Sequence, residues 1–200
     1  MARIALFGTS ADPPHRGHAA VVTWLARQFD YVAVWAAENP FKTGQTPLKQ
    51  RFRMLELMLT ELPLPEGKVG LHPELSHRRS LVSIHRAQEQ WPGSQLVLVI
   101  GSDLVTQLLS WYRAEEIFAA VDILIFPRPG YPITLEGLAA LRQYTQVEVA
   151  DITERVEAAS SSYRLTSGYE DLTPAVQAYI SEHHLYPTPR PQFERLPPSF

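Results

Sequence analysis

Cysteine is absent from this chain of 200 residues. Without it, the chain cannot form a disulfide scaffold, a cysteine-ligated zinc or iron–sulfur site, or a cysteine nucleophile. An excess of charge is also missing, since 18 basic and 21 acidic residues give a net charge of −3. That balance provides no overall positive field for nucleic acid and no acidic block typical of a solvating tail.

Long apolar runs are missing as well. Runs such as Leu96–Ile100 are far shorter than the roughly 18 residues of a membrane-spanning helix. The N-terminal run ends at Gly8-Thr9-Ser10 and is too short for a signal peptide. We therefore expect a cytoplasmic protein with no membrane partner. The length suits a single domain, residues 1–186, and the five prolines of residues 187–200 predict an extended or disordered tail.

What the sequence does contain is an alternation of short apolar runs and segments of helical periodicity. Strands that alternate with helices of roughly 10–15 residues predict an α/β fold with a parallel sheet, and ligands of such sheets bind beyond the carboxyl ends of the strands. The predicted strands are Ile4–Phe7, Tyr31–Ala36, Val69–His72, Leu96–Ile100, Ile123–Phe126 and Val147–Ala150. The predicted helices are Ala19–Phe29, Leu48–Leu62, Leu81–Gln90, Ala114–Val121, Leu135–Tyr144 and a small C-terminal helix, Pro174–His184.

The loop after the first predicted strand contains two histidines at the start of a helix. We expect Gly8 to let the chain turn sharply there. His15 and His18 are three residues apart, close to one helical turn, so both imidazoles can face one point at the helix N-terminus. Free N–H groups at that terminus suit phosphate, and imidazoles can donate to phosphoryl oxygens as charge develops. The alternatives are a surface turn and a helix cap without a ligand.

The segment Gly8–His18 resembles the nucleotidyltransferase signature, a glycine-rich turn and then H-x-G-H after the first strand. The resemblance implies a Rossmann-like nucleotidyltransferase fold and attack of a phosphate oxygen on the α-phosphate of a nucleoside triphosphate, with release of pyrophosphate. It implies that His15 contacts the phosphates and that His18 stabilises the transition state. Ala11 stands where the family usually has an aromatic residue, and we expect that departure to change packing more than chemistry. The implied ATP site also includes Gly8, Thr9 and Ser10.

Lys42 follows the second predicted strand, at the end of the sheet expected to face ligand. A lysine there can act as a point charge on a triphosphate. Adenylyltransferases of nicotinate mononucleotide often carry a Pro-x-x-Lys-like element at this place, so the resemblance implies a role for Lys42 in catalysis and acceptor binding. Arg51 matches an arginine on the following helix of that group, whereas we expect Lys49 and Arg53 to lie on a solvated helix face.

A serine cluster late in the chain has the composition of a helix N-terminus, where capping and anion binding are compatible. The segment resembles the second family signature, I-S-S-T-x-x-R. The resemblance implies ATP contacts from Ser160 and Ser161 and a catalytic phosphate contact from Arg164. Ala159 replaces the first serine, which removes one hydroxyl.

A third set of residues follows the strands Leu96–Ile100 and Ile123–Phe126. We expect Gly101 to let a ligand approach the strand end and Asp103 to hold a ribose hydroxyl. Trp111 suits equally a core position under a loop and a stacking platform for a planar ring. The run resembles bacterial nicotinate-nucleotide adenylyltransferases, in which G-x-D precedes a tryptophan and an R-P-G element. The resemblance implies acceptor contacts from Trp111, on the pyridine ring, from Arg128, and more weakly from Ser80.

The resemblance covers roughly residues 3–186 and implies transfer of AMP from ATP to nicotinate mononucleotide, giving the deamido dinucleotide and pyrophosphate in NAD biosynthesis. We expect Mg²⁺ to be held mainly by the triphosphate, with no dedicated metal site. The expected partners are ATP and nicotinate mononucleotide, with no nucleic acid, and a homo-oligomer remains open. Two alternatives also remain: an adenylyl- or cytidylyltransferase for another acceptor, such as nicotinamide mononucleotide or phosphopantetheine, and a catalytically silent nucleotide-binding regulatory module.

Overall fold

The computed structural model describes residues 1–38, 43–151 and 171–186. All its strand pairs are parallel and form one sheet, in the order β3-β2-β1-β4-β5-β6 once the strands are numbered along the chain. The predicted α/β class and parallel sheet are confirmed. The strands are β1 (Arg3–Thr9), β2 (Tyr31–Ala36), β3 (Val69–Leu71), β4 (Gln95–Gly101), β5 (Asp122–Phe126) and β6 (Val147–Val149).

Helices connect the strands and cover both faces of the sheet. Successive strand residues point to opposite faces, and two separate apolar clusters result. The helices are α1 (Arg16–Gln28), α2 (Leu48–Glu61), α3 (Ser80–Gln90), α4 (Ala114–Ala120), α5 (Leu135–Arg142) and α6 (Pro174–Glu182). Ala5 and Phe7 of β1 belong to the apolar cluster that includes α1, α2 and α6, whereas Ile4 and Leu6 belong to the cluster that includes α3, α4 and α5.

Burial on both faces explains why the middle of each central strand is a continuous apolar run. Leu96–Ile100 of β4 is buried along its whole length. A parallel strand covered by helices on each side has no solvated face that would admit alternating polar residues. Continuous apolar runs were therefore reliable strand signals in this sequence.

The first helix begins earlier than its apolar pattern predicted. The pattern starts at Ala19, but α1 starts at Arg16, with His15 as its N-cap. The first turn is polar because it faces the end of the sheet rather than the core. His18 is thus a helical residue and not part of the preceding loop.

Gly8 has a role different from the predicted turn. It is the penultimate residue of β1 and is paired with Trp35 of β2, so the chain is still extended there. A Cβ at this position would lie 2.6 Å from Cε2 and Cζ2 of Trp35. The glycine is needed because the indole ring of the neighbouring strand occupies the space of a side chain.

The C-terminal helix α6 packs on the same side of the sheet as α2. The N–H group of Ala175, in its first turn, donates to Oε1 of Glu61 at 3.1 Å. Among the described helices, none has the length and apolar character needed to cross a membrane. The predicted tail, residues 187–200, lies outside the described residues.

The substitution Gly8→Ala tests the steric role of this glycine. The added methyl group would overlap the buried ring of Trp35, so the ring must shift within a packed core. We expect the free energy of unfolding, measured by denaturant titration, to fall by about 1–3 kcal/mol. In a Trp35→Phe background, where the ring is shorter, the same substitution should cost less. Equal costs in the two backgrounds would contradict the explanation.

Candidate active site

The candidate site lies at the carboxyl edge of the sheet, where the strand order reverses. Because β1 lies between β2 and β4, the connections that follow β1 and β4 cross to opposite halves of the sheet. In open α/β sheets such a switch point leaves a crevice in which ligands bind. The connections after β1, β4 and β5 carry most of the predicted site residues, so the topology brings them to one edge.

His15 and His18 cap the first turn of α1 reciprocally. Nδ1 of His15 accepts the N–H group of Gly17 at 3.0 Å, and the N–H group of His15 donates to Nδ1 of His18 at 3.1 Å. This is a capping box in which two imidazoles take the places of the usual hydroxyl and carboxylate. The ring centroids are 3.9 Å apart, so the two residues predicted to act together do lie together.

These hydrogen bonds determine which ring nitrogens carry protons. A neutral imidazole has one N–H group and one acceptor nitrogen. Because Nδ1 of each ring accepts a backbone N–H, the proton of each neutral ring is on Nε2. The amides of Gly17 and His18 are already used, by Nδ1 and the carbonyl oxygen of His15. The expectation of free amides is therefore wrong for these two groups, and the remaining N–H group of each ring, on Nε2, lies outside the cap.

The pKa of His15 keeps this ring neutral. Burial, and secondarily the positive charge of Arg128, lower the pKa of His15 from 6.5 to about 4. A neutral ring can lie this close to His18 without repulsion between two cations. The influence of Arg128 also shows that the connection after β5 faces the connection after β1, as the predicted site requires.

Asp103 and Arg128 form an ion pair across the ends of β4 and β5, with Nη1 of Arg128 donating to Oδ2 of Asp103 at 2.9 Å. Ser102 connects the same two loops: its Oγ accepts the N–H group of Arg128 at 2.9 Å and donates to the carbonyl oxygen of Tyr131 at 2.7 Å. A Cβ at Gly101 would lie 2.4 Å from Oδ1 of Asp103. Gly101 thus makes room for the carboxylate of Asp103, and the approach of a ligand at this strand end stays a prediction.

The other carboxylate oxygen of Asp103 has no partner among the described residues. Oδ1 is buried and makes no hydrogen bond to any residue that the structure describes. An unsatisfied buried acceptor costs about 1–3 kcal/mol. A hydroxyl group entering beside Arg128 would remove that cost, and this fits the ribose hydroxyl expected from the sequence.

Ser80 and Trp111 lie on neighbouring segments that are joined by a cation–π contact. Ser80 is the first residue of α3, and the guanidinium carbon of the preceding Arg79 lies 4.1 Å from the ring centroid of Tyr112. Trp111 is partly buried against the apolar cluster on this face of the sheet. Its ring therefore serves the core in part and leaves part of its surface open, so neither of the two interpretations is excluded.

Some predicted residues can be placed only in part. Thr9 ends β1, and its carbonyl oxygen accepts the N–H group of Ala37 at 2.7 Å. Ser10 follows it, at the start of the loop that leads to His15. Lys49 and Arg53 are exposed, as predicted. Four predicted site residues lie outside the described residues: Lys42, Ser160, Ser161 and Arg164.

The structure shows a buried role for Arg51 that sequence reasoning missed. Its side chain is only 3% exposed and donates to three backbone carbonyl groups. Burial lowers the pKa of Arg51, and the negative charge of Asp12 opposes that shift. A signal was present: Arg51 lies four residues before Leu55 and seven before Met58, on the buried stripe of α2 where an apolar residue is expected.

The described part of the site combines three kinds of recognition. Two imidazole Nε2–H groups and the guanidinium of Arg128 can donate to an anion. A buried carboxylate oxygen of Asp103 can accept from a hydroxyl, and the open part of Trp111 can contact a planar ring. Phosphate, ribose and a heterocyclic base are the components of a nucleotide, so the arrangement fits a nucleotide ligand.

The comparisons with known proteins agree with this geometry. Residues 6–166 match the family model described as cytidylyltransferase-like. A probable nicotinate-nucleotide adenylyltransferase from Synechocystis sp. is 43% identical over 197 residues, which cover 92% of this chain and 98% of that protein. Two structures of the Plasmodium falciparum nicotinic acid mononucleotide adenylyltransferase share the fold. The one complexed with NaAD has a TM-score of 0.80 at 17% identity, covering 93% of this chain and 98% of that chain. The one complexed with APC has a TM-score of 0.78 at 18% identity, with the same coverage.

The lowered pKa of His15 predicts how stability depends on pH. The unfolded chain takes up a proton at this ring near pH 6.5, whereas the folded chain does so only near pH 4. Stability should therefore be lost as the pH falls from 6.5 to 4. His15→Asn supplies a side-chain oxygen for the Gly17 amide but does not titrate. We expect the stability of the native chain relative to this variant to fall by about 3 kcal/mol between pH 7 and pH 4 in urea titrations. Parallel curves for the two proteins would contradict the prediction.

Proposed function

The chain belongs to the cytidylyltransferase-like family, and from this membership and the geometry of the site we propose that it transfers AMP from ATP to nicotinate mononucleotide, producing deamido-NAD and pyrophosphate. The proposal agrees with the names of its relatives, including the Synechocystis protein that matches almost the full chain. The observation that carries it is the pair of imidazoles, His15 and His18, which reciprocal caps hold in fixed orientations at the switch point of the sheet.

The reaction needs no covalent enzyme intermediate. A phosphate oxygen of nicotinate mononucleotide attacks the α-phosphorus of ATP, and the bond from that phosphorus to the oxygen bridging to the β-phosphate breaks. Negative charge develops on the phosphoryl oxygens and on the departing pyrophosphate. Donors already fixed at these oxygens lower the barrier, since they need no rearrangement as the charge grows.

His18 is the proposed transition-state donor, and His15 is a phosphate contact beside it. His18 lies in the first turn of α1, whose dipole places partial positive charge at this end. His15 is neutral and contributes an N–H group without a full charge. Arg128, whose charge reaches His15, adds a cation near the bound phosphates.

Asp103 and Trp111 provide sites for the rest of the substrates. We assign the unpaired Oδ1 of Asp103 to a ribose hydroxyl, and the open part of Trp111 to the pyridine ring of the acceptor. Arg128 is ion-paired with Asp103, so the proposed ribose and acceptor contacts lie next to each other at the edge of the crevice. Ser80, on the segment next to Trp111, completes the proposed acceptor contacts.

Mg²⁺ enters this proposal as part of the MgATP substrate. Among the residues of the described ranges, no three histidine, aspartate or glutamate side chains are grouped so that they could hold a metal ion. Mg²⁺ commonly keeps several waters and binds through substrate phosphates rather than in an all-protein cage. Four further phosphate or acceptor contacts are proposed on the family resemblance alone: Lys42, Ser160, Ser161 and Arg164.

The substitution His18→Ala tests the proposed mechanism. Loss of one donor to the developing charge should lower kcat about 10²–10³-fold, measured by pyrophosphate release with ATP and nicotinate mononucleotide. His85→Ala is the matched control, since His85 is exposed on α3 and should retain full activity. A His18→Ala enzyme with nearly native turnover would disprove the mechanism.

A panel of acceptors tests the substrate. With ATP held constant, nicotinate mononucleotide should be used at least about tenfold better, in kcat/KM, than nicotinamide mononucleotide, because the relatives of this chain are named for the acid and a site that recognises a carboxylate discriminates against an amide. Preference for the amide or for phosphopantetheine would reassign the acceptor. ATP binding without pyrophosphate release for any acceptor would instead favour a silent nucleotide-binding module.

A further inference from the structure

Asp12 is a buried junction between the loop after β1 and two distant parts of the chain. It is 1% exposed. Its Oδ2 accepts the N–H group of Thr46, just before α2, at 3.3 Å. Its Oδ1 accepts the hydroxyl group of Tyr186, which follows α6 and lies 174 positions further along the sequence. The start of the loop is thus attached to the far end of the described chain.

Arg51 holds the same region from α2. Its Nη1 donates to the carbonyl oxygens of Ser10 and Ala37, both at 2.8 Å, and its Nε donates to that of Thr46 at 2.9 Å. The carbonyl group of Ser10 belongs to the connection after β1, and those of Ala37 and Thr46 belong to the two ends of the connection between β2 and α2. One guanidinium group therefore closes the two ends of the β2–α2 connection and fixes that connection to the one after β1, which a smaller or singly donating side chain cannot do.

The link from this junction to the imidazoles is short and stiff. Only Pro13 and Pro14 separate Asp12 from His15, and residues 11–15 are all buried. Each proline ring fixes its own φ angle, so the segment has little freedom to absorb a displacement. A shift of Asp12 therefore reaches His15 and, through the capping hydrogen bonds, also His18.

Tyr186 is itself held in place. After the end of α6, His184 has a φ of +49°, and the N–H group of Leu185 donates to the carbonyl oxygen of Ile180 at 3.0 Å. The Tyr186 ring packs against the apolar cluster shared by α1, α2 and α6. Its hydroxyl group therefore reaches Asp12 from a fixed position.

We propose that Arg51 and Tyr186 are positioning residues for nucleotidyl transfer: through Ser10 and Asp12 they fix the loop that places the Nε2–H groups of His15 and His18. The inference rests on the proposed function and extends it to residues that touch no substrate. It gives the end of α6, far from the phosphates in sequence, a direct part in the geometry of the transition state.

Tyr186→Phe is the sharpest test, because it removes one hydroxyl group and keeps the packed ring. A donor misplaced by a fraction of an ångström weakens transition-state contacts more than ground-state binding. We expect kcat for pyrophosphate release to fall about tenfold, while the KM for ATP changes less than about threefold. Tyr179→Phe is the control, since it removes a hydroxyl group from α6 itself, and it should retain native kcat.

A second measurement, by ¹⁵N NMR, reports the positions of the His15 and His18 rings independently of the reaction. Imidazole ¹⁵N resonances respond to the hydrogen bonds of each ring nitrogen. Tyr186→Phe should shift the resonances of His15 and His18. Tyr179→Phe should shift those of His183, on which Tyr179 stacks with centroids 4.0 Å apart, and leave His15 and His18 unchanged.

Arg51→Lys provides a further test with the charge retained. A lysine ammonium cannot reproduce the fork that joins three carbonyl groups. We expect a larger loss of kcat than for Tyr186→Phe, of about 100-fold, with the same two histidines shifted in the ¹⁵N spectrum. If this variant does not fold, the kcat and the ¹⁵N resonances of Tyr186→Phe are sufficient to support or overturn the positioning role.

The outcomes separate this inference from the proposed function. Unchanged kcat in Tyr186→Phe overturns the inference, whatever happens to melting temperature or to the resonances. A fall in kcat without a shift of His15 or His18 also overturns it. If the native enzyme prefers another acceptor, the proposed substrate fails, and the same kcat comparison is made with that acceptor. If no acceptor reacts, the proposed function fails, and the ¹⁵N shifts alone support or overturn the positioning role.

Discussion

Two backbone N–H groups bound to imidazole nitrogens are the constraint on which the site depends. By occupying Nδ1 of His15 and of His18, they direct the remaining proton of each ring to Nε2. Burial then keeps His15 neutral, so two rings 3.9 Å apart can coexist. Orientation, protonation and spacing thus follow from one turn of helix. The sheet contributes by placing that turn beside the connections from β4 and β5.

Much of the fold could be predicted because its parallel sheet is buried on both faces. Apolar runs such as Leu96–Ile100 indicated buried strands, and each predicted strand and helix is present, most of them with ends shifted by one to three residues. The shifts have physical causes. The start of α1 has no apolar pattern, since its first turn caps a site rather than packing on the core. The role of Gly8 depended on Trp35, a neighbour in space that the sequence places 27 positions away.

The parts of the site formed by residues close together in the sequence could be predicted, whereas the parts formed by residues that only the fold brings together could not. The spacing of His15 and His18 within one turn was readable directly. The ion pair of Asp103 with Arg128 joins two strand ends, and only the sheet order makes them neighbours. The three carbonyl groups around Arg51 come from two connections and from positions 5, 14 and 41 residues away in the sequence. Every residue has a backbone carbonyl group, so the sequence does not indicate which of them accepts a hydrogen bond. The only sequence evidence for these contacts is a charged residue, Arg51, on the apolar stripe of α2.

The reciprocal cap also restricts how this chain can evolve. Histidine is not among the residues that begin helices best, and serine, threonine, aspartate or asparagine would usually stabilise the start of α1 more. Any of these at position 15 would remove an imidazole from the crevice. Selection for a more robust helix and selection for catalysis therefore act on the same atoms in opposite directions. Gains in thermal robustness are more accessible in distant elements such as α4 and α5, which share no atoms with the cap.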